Sequence, residues 1–151
     1  MPLVEKENQE RVKTAIREAE KQTSGEIRVC AEAHCPEEIL DRAAWYFDQL
    51  HMQKTASRNG VLIYMALEDR QFAIIGDAGI NAVVGNEFWD ETRDTMVSHF
   101  KKGALVDGLV AGIQKAGFAL KEHFPYQEDD RNELPDDIVV GGHIPSQTTD
   151  E

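Results

Sequence analysis

Two cysteines in 151 residues, Cys30 and Cys35, leave this chain without a disulfide framework. Four residues separate them, a spacing that matches no zinc-ligand pair, so both read as reduced thiols, Cys30 packed in an apolar run and Cys35 more exposed. Long apolar runs are missing too. No stretch approaches the ~20 residues that a helix needs to cross a bilayer. The opening MPLVEKENQERVK is charged from its fifth residue, with no apolar run before a small-residue cleavage site. The expectation is a cytoplasmic protein with no membrane partner. Basic residues are scarce: 16 Lys and Arg stand against 28 Asp and Glu, a formal charge of −12. Such a field repels nucleic acid and anionic lipid, and Lys101-Lys102 is too small a patch to reverse it. A cation suits that field as a partner, although acidity also serves solubility.

Catalytic signatures are equally thin. His34, His51, His99, His123 and His143 are dispersed, with no i, i+4 pair of a zinc-protease helix. Ser24, Ser57 and Ser98 have no GxSxG setting, and no GxGxxG dinucleotide loop occurs. Repeats and low-complexity segments are absent.

What remains is ordinary globular composition, 41% hydrophobic and 29% charged, in a chain of one-domain length. Its organising stretch is NGVLIYMALEDRQFAIIGDAGIN at 59–81. Two apolar runs, 61–67 and 72–75, flank Glu68-Asp69-Arg70-Gln71, which predicts a β-hairpin at the centre of a sheet. Both alternating side-chain sets of the first run are apolar, so layers lie above and below the sheet. Upstream, Val12, Ala15, Ile16 and Ala19 mark one face of a helix over 5–22, stopped near Gly25. Residues 26–33 alternate Ile27, Val29, Ala31 and Ala33 with Glu26, Arg28, Cys30 and Glu32, a strand with one drier face nearer the sheet's edge. After Pro36, residues 37–53 carry a stripe of Ile39, Leu40, Ala43, Ala44, Phe47 and Leu50, with Trp45 and Tyr46 at its margins. Strand, helix and strand make a right-handed βαβ unit with parallel strands. The fold class is therefore α/β, with a mixed sheet between helical layers.

Helices follow over 86–102, with Phe88, Trp89, Met96 and Phe100 inward, and over 105–123. In the latter, Gly108, Gly112 and Gly117 each cost about 1 kcal/mol relative to alanine, tolerable if they permit close approach to a neighbour. From Pro125 proline, glycine and acids dominate. The division is a domain over 1–140 and a flexible tail over 141–151.

This topology brings distant carboxylates together at both ends of the sheet. Where the parallel strands finish, Glu32, Asp69 and Asp107 meet. Where they start, Glu26, Asn59, Asp77 and Asn81 meet the segment holding Asp130 and Glu133. Converging acids repel unless a cation or proton sits between them, and oxygen-only donors favour calcium or magnesium over zinc or copper. Each acid also has a structural role open to it. Asp69 suits a turn, Glu26 a pairing with Arg28 or Arg70, Asp77 a strand-to-helix loop, and Asp107 the first turn of a helix.

TSGEIRV at 23–29, the 59–81 stretch, EFW at 87–89, FKKG at 100–103 and DGLVAGI at 107–113 resemble the TPM domain family. HFP at 123–125 and DRNELPDDI at 130–138 resemble an acidic-tailed bacterial branch of it. The resemblance implies a three-layer α/β/α sandwich, an association with acid phosphatase activity and, through that branch, calcium or magnesium binding. The commoner family loop after the third strand has two glycines separated by one residue. Here Gly76-Asp77-Ala78-Gly79 places an acid between them. Three functions are thus expected. The first is divalent-cation binding, through Asp77, Glu26, Asp130 and Glu133 or through Asp69 and Asp107. The second is a metal-assisted phosphatase, with Arg70 beside the acids at the far end of the sheet. The third is a module docking a protein partner near Trp45, Trp89 or the NELP segment.

Overall fold

The computed structural model describes residues 5–126 and 138–140. Helix α1 (Lys6–Glu20) leads into strand β1 (Glu26–Glu32), then α2 (Ile39–Gln49) and a 3-10 turn at Met52–Lys54. Strands β2 (Gly60–Ala66) and β3 (Gln71–Gly76) form the hairpin. The short α3 (Ala78–Asn81), α4 (Asn86–Phe100), α5 (Leu105–His123) and β4 (Val139–Val140) complete the order.

The sheet has four strands in the order β3-β2-β1-β4. β1 runs parallel to β2, with Glu26 opposite Gly60 and Glu32 opposite Ala66, and parallel to β4, with Cys30 opposite Val139. β3 returns antiparallel, with Val61 opposite Gly76. Side chains of a strand alternate between faces, and the two cores follow that alternation. Ile27, Val29, Val61, Ile63 and Met65 pack under α1, α4 and α5 with Ile16, Met96, Leu109 and Ile113. Cys30, Leu62, Tyr64 and Ala66 pack on the other face with Ala43 and Tyr46 of α2 and with Leu50 just past its end. Each fully buried large aliphatic side chain contributes about 1.5–3 kcal/mol. The molecule is a three-layer α/β/α sandwich.

The helical glycines behave as their spacing suggests. A Cβ on Gly108 would stand 2.5 Å from Cε1 of Phe100, one on Gly112 2.5 Å from Sδ of Met96, and one on Gly117 2.7 Å from Cβ of Ala19. They let α5 lie close against α4 and α1.

Several expectations need correction. The hairpin is not central: β2 is interior, whereas β3 forms an edge. β1 is not a half-dry strand near an edge. All seven of its residues are buried, because α2 covers the polar face and supplies a partner for Glu32. Tyr46, expected at a margin, is fully buried against Tyr64, and Leu40 of the expected apolar stripe is exposed. Helix α2 is shorter than its pattern. Glu38 caps its start by accepting from the Leu40 amide, and beyond its end His51 takes a left-handed φ of 57°, which an α-helix does not accommodate. Asp130, Glu133 and the proposed tail boundary at 141 lie outside the described residues.

Candidate functional site

The starts of β1 and β2 and the end of β3 meet at one edge of the sheet. The register sets Glu26 opposite Gly60, and the Asp77 amide donates to the Gly60 carbonyl at 2.9 Å. Glu26 and Asp77 thus flank Gly60 on adjacent strands. Two loops lock together here. The Gly79 amide donates to the Arg58 carbonyl at 2.7 Å, and a Cβ on Gly79 would lie 2.0 Å from the Ser57 carbonyl oxygen. Only glycine fits that approach.

Asp77 caps α3, its Oδ1 accepting from the Ala78 amide at 2.7 Å. Arg58, at a left-handed φ of 52°, grips the same carboxylate with two bonds, Nε to Oδ2 at 2.7 Å and Nη2 to Oδ1 at 2.8 Å. The Asp77 side chain is 6% exposed, that of Arg58 52%. Asn59 beside it is buried. The Asn59 N–H donates to Thr55 Oγ1 at 3.1 Å, its carbonyl accepts from the Glu26 amide at 3.5 Å, and Nδ2 donates to Ser24 Oγ at 3.2 Å. Asn59 Oδ1 is buried with no hydrogen-bond partner among the described residues. Asn81 is occupied at both ends, donating to the Gly76 carbonyl and accepting from the Trp89 indole. The chain returns to this edge at Thr23, which bridges Pro125, and at Gln22, whose carbonyl accepts from the Tyr126 amide at 3.1 Å.

At the opposite end the three expected acids are dispersed among basic partners. Glu32 accepts from Arg42 Nε at 2.9 Å, from Arg42 Nη2 at 2.8 Å and from the Tyr64 hydroxyl at 2.7 Å. The Arg42 guanidinium lies 4.5 Å from the Trp45 ring centroid. Asp69 takes the His34 ring Nδ1 at 2.9 Å and the Cys35 amide at 2.7 Å. Asp107 sits in the first turn of α5 and pairs with Arg11 of α1 at 2.7 Å. Arg70, expected beside these acids, instead lines a cavity between the hairpin and α4. Among the described residues no group of three or more His, Cys, Asp or Glu is arranged to hold a metal ion.

A family model for the TPM domain matches residues 3–118. This chain belongs to the TPM domain family. The NMR structure of the BA42 protein from the psychrophilic bacterium Bizionia argentinensis is 50% identical, with a TM-score of 0.84 over 89% of this chain and 93% of that one. The solution NMR structure of the N-terminal domain of the cg2496 protein from Corynebacterium glutamicum shares the fold at 13% identity, with a TM-score of 0.57 over 93% of this chain and 83% of that one. A search of curated proteins finds no match. No helix among the described residues of this TPM domain is long and apolar enough to cross a membrane.

The electrostatics of the TPM domain follow from these pairs. The Arg42 bonds hold the Glu32 carboxyl below its usual range against the opposing effect of burial. The Cys35 amide, then His34, does the same for Asp69, and Arg11 for Asp107. Asp69 in turn raises the His34 imidazole. Burial pushes the Cys30 thiol up to about 12, which keeps it protonated and unreactive at neutral pH. Sequence reasoning missed Arg58, Arg42 and Arg11 as partners of the acids. The available signal was weak: Arg58 stands just before Asn59-Gly60, where a turn must feed β2.

Proposed function

We propose that this TPM domain binds a divalent cation, calcium or magnesium, at the strand edge formed by Asn59, Asp77 and Glu26. The observation that carries the reading is Asn59 Oδ1, a buried acceptor with no hydrogen-bond partner among the described residues, at the same edge as two buried carboxylates. An unsatisfied buried oxygen costs free energy that a hard cation would recover, and calcium takes amide and carboxylate oxygens together. Arg58 now supplies the positive charge at Asp77. Its side chain is half exposed, so it can swing into water when a cation takes its place. Asp69 and Asp107 fit less well, since both lie at the opposite end of the sheet from the unsatisfied Asn59 oxygen and are more exposed than Asp77. Asp130 and Glu133, outside the described residues, follow Tyr126 in the chain and are the candidate additional ligands.

Calcium titration followed by amide NMR tests the reading. Shifts are expected at Asn59 and over 77–81, and they should weaken in Asp77→Asn. An Asp130→Asn/Glu133→Gln variant measures what the acidic segment adds. Shifts confined to residues 127–137 would overturn the assignment of the site. A metal-assisted phosphatase would draw on the same cation. Its readout is p-nitrophenyl phosphate hydrolysis that survives repurification and is lost in Asp77→Asn.

A further inference from the structure

A separate feature lies at the other end of β3. This strand is the edge of the sheet, and its sequence QFAIIG contains no charge and no proline, the devices that usually blunt an exposed edge. The Asp77 amide bonds to the Gly60 carbonyl, and hydrogen-bonded pairs alternate along an antiparallel ladder. Gln71, Ala73 and Ile75 therefore spend their main-chain groups on β2, while Phe72, Ile74 and Gly76 turn theirs outward. The outward carbonyl of Gly76 is taken by Asn81. No described residue bonds to the outward groups of Phe72 or Ile74. The edge is most open toward the hairpin, where Gln71 is exposed and Phe72 half-buried.

That end adjoins a cavity of about 920 Å³, with Phe72, Val97, Phe100 and Leu105 among its walls. Phe72 and Phe100 meet edge to face there, with ring centroids 5.2 Å apart. Arg70 and Lys101 also line it, together with one acid, Glu68. Neither cation is in an ion pair among the described residues, although the chain carries a formal charge of −12. Five of the other described arginines are spent on acids: Arg11 on Asp107, Arg17 on Glu10, Arg42 on Glu32, Arg58 on Asp77 and Arg93 on Asp90.

We propose that the hairpin end of β3 is a docking edge for an extended acidic segment of a partner protein. The segment adds a strand beside Phe72, places an apolar side chain in the cavity, and sets a carboxylate against Arg70 and Lys101. Main-chain bonding at an edge supplies affinity, while the adjoining pocket supplies selectivity. Charge decides between occupants. A second copy of this chain brings another strongly negative field, and nucleic acid brings a larger one, whereas a short acidic segment meets the two cations locally.

The test uses two fluorescein-labelled peptides, Thr-Val-Thr-Leu-Asp-Glu and Thr-Val-Thr-Leu-Lys-Lys, titrated into the intact protein by fluorescence anisotropy and amide NMR. The acidic peptide is expected to bind, to shift the Phe72, Lys101 and Leu105 amides, and to bind more tightly than the basic one. Its affinity should fall about fivefold in Arg70→Gln/Lys101→Gln, the scale of two exposed charge pairs. Both substitutions lie at the surface, and unchanged circular dichroism checks the fold. Equal affinity for the two peptides would overturn the proposal. So would the absence of shifts at millimolar peptide, shifts over 77–81 instead, or Phe72 shifts that grow with protein concentration alone, the mark of self-association. None of these outcomes depends on whether a cation binds near Asp77.

Discussion

Replacing Glu32 with glutamine should be among the most damaging isosteric changes in this protein. Glu32 and Arg42 have side chains only 11% and 17% exposed, and the carboxylate receives two Arg42 bonds and one from Tyr64. Glutamine preserves volume and can still accept from Tyr64. It removes the charge, however, and turns an amide donor toward a guanidinium that has only donors. Breaking a buried pair by neutralising one partner costs about 3–5 kcal/mol, and partial exposure reduces this to about 2–3 kcal/mol here. With a urea m-value of about 2 kcal/mol/M, the midpoint should fall by about 1–1.5 M. A double variant, Glu32→Gln/Arg42→Gln, should recover part of the loss, because no uncompensated cation remains. The pH dependence has a definite sign. Glu32 is held below its usual range by Arg42, so its contribution is fully present above the unfolded-state value of about 4.3 and is lost as pH falls through the lower folded value. The gap between wild type and Glu32→Gln should therefore be open at pH 7 and close in strong acid. A loss under about 0.5 kcal/mol at neutral pH, or a gap independent of pH, would refute the reasoning.

Two further outcomes are expected. Asp69 raises the His34 imidazole, chiefly through their direct bond, so NMR titration of His34 should give a lower value in Asp69→Asn than in wild type. By linkage this pair favours the folded state below the unfolded histidine value and ceases to do so as pH rises through the folded one; identical titrations in the two proteins would discard it. Gly79→Ala forces a Cβ to 2.0 Å from one carbonyl oxygen and 2.6 Å from another, both in main chain that cannot rotate away. A loss of about 3 kcal/mol, at the upper end of overpacking costs, should appear in denaturant unfolding, whereas a near-neutral result would mean that the loops are not locked as described.

Local patterning made much of the fold legible. The two apolar faces along 61–67 require cover on both sides, and Gly108, Gly112 and Gly117 announce a close helical approach. The resemblance of TSGEIRV and its companion segments to the TPM domain agrees with the family match over 3–118. The strand directions also placed Glu26 and Asp77 at one end of the sheet, as the register shows. Pattern is less informative about the partners of charged side chains. Arg58 reaches Asp77 from 19 residues away, and Arg11 reaches Asp107 from 96 away. Those pairings give one acid from each of the two expected clusters a basic partner that no local pattern announces.

The sequence by itself determined the alternation of elements and the layers around the sheet, because these follow from periodicity and turn chemistry acting over short stretches, and the order and spacing of its motifs carried the family resemblance. Tertiary structure decided which acid meets which base, which strand is left at the edge and which buried oxygen goes unsatisfied. Those outcomes depend on a few ångströms of separation between residues far apart along the chain, and no local pattern encodes such distances.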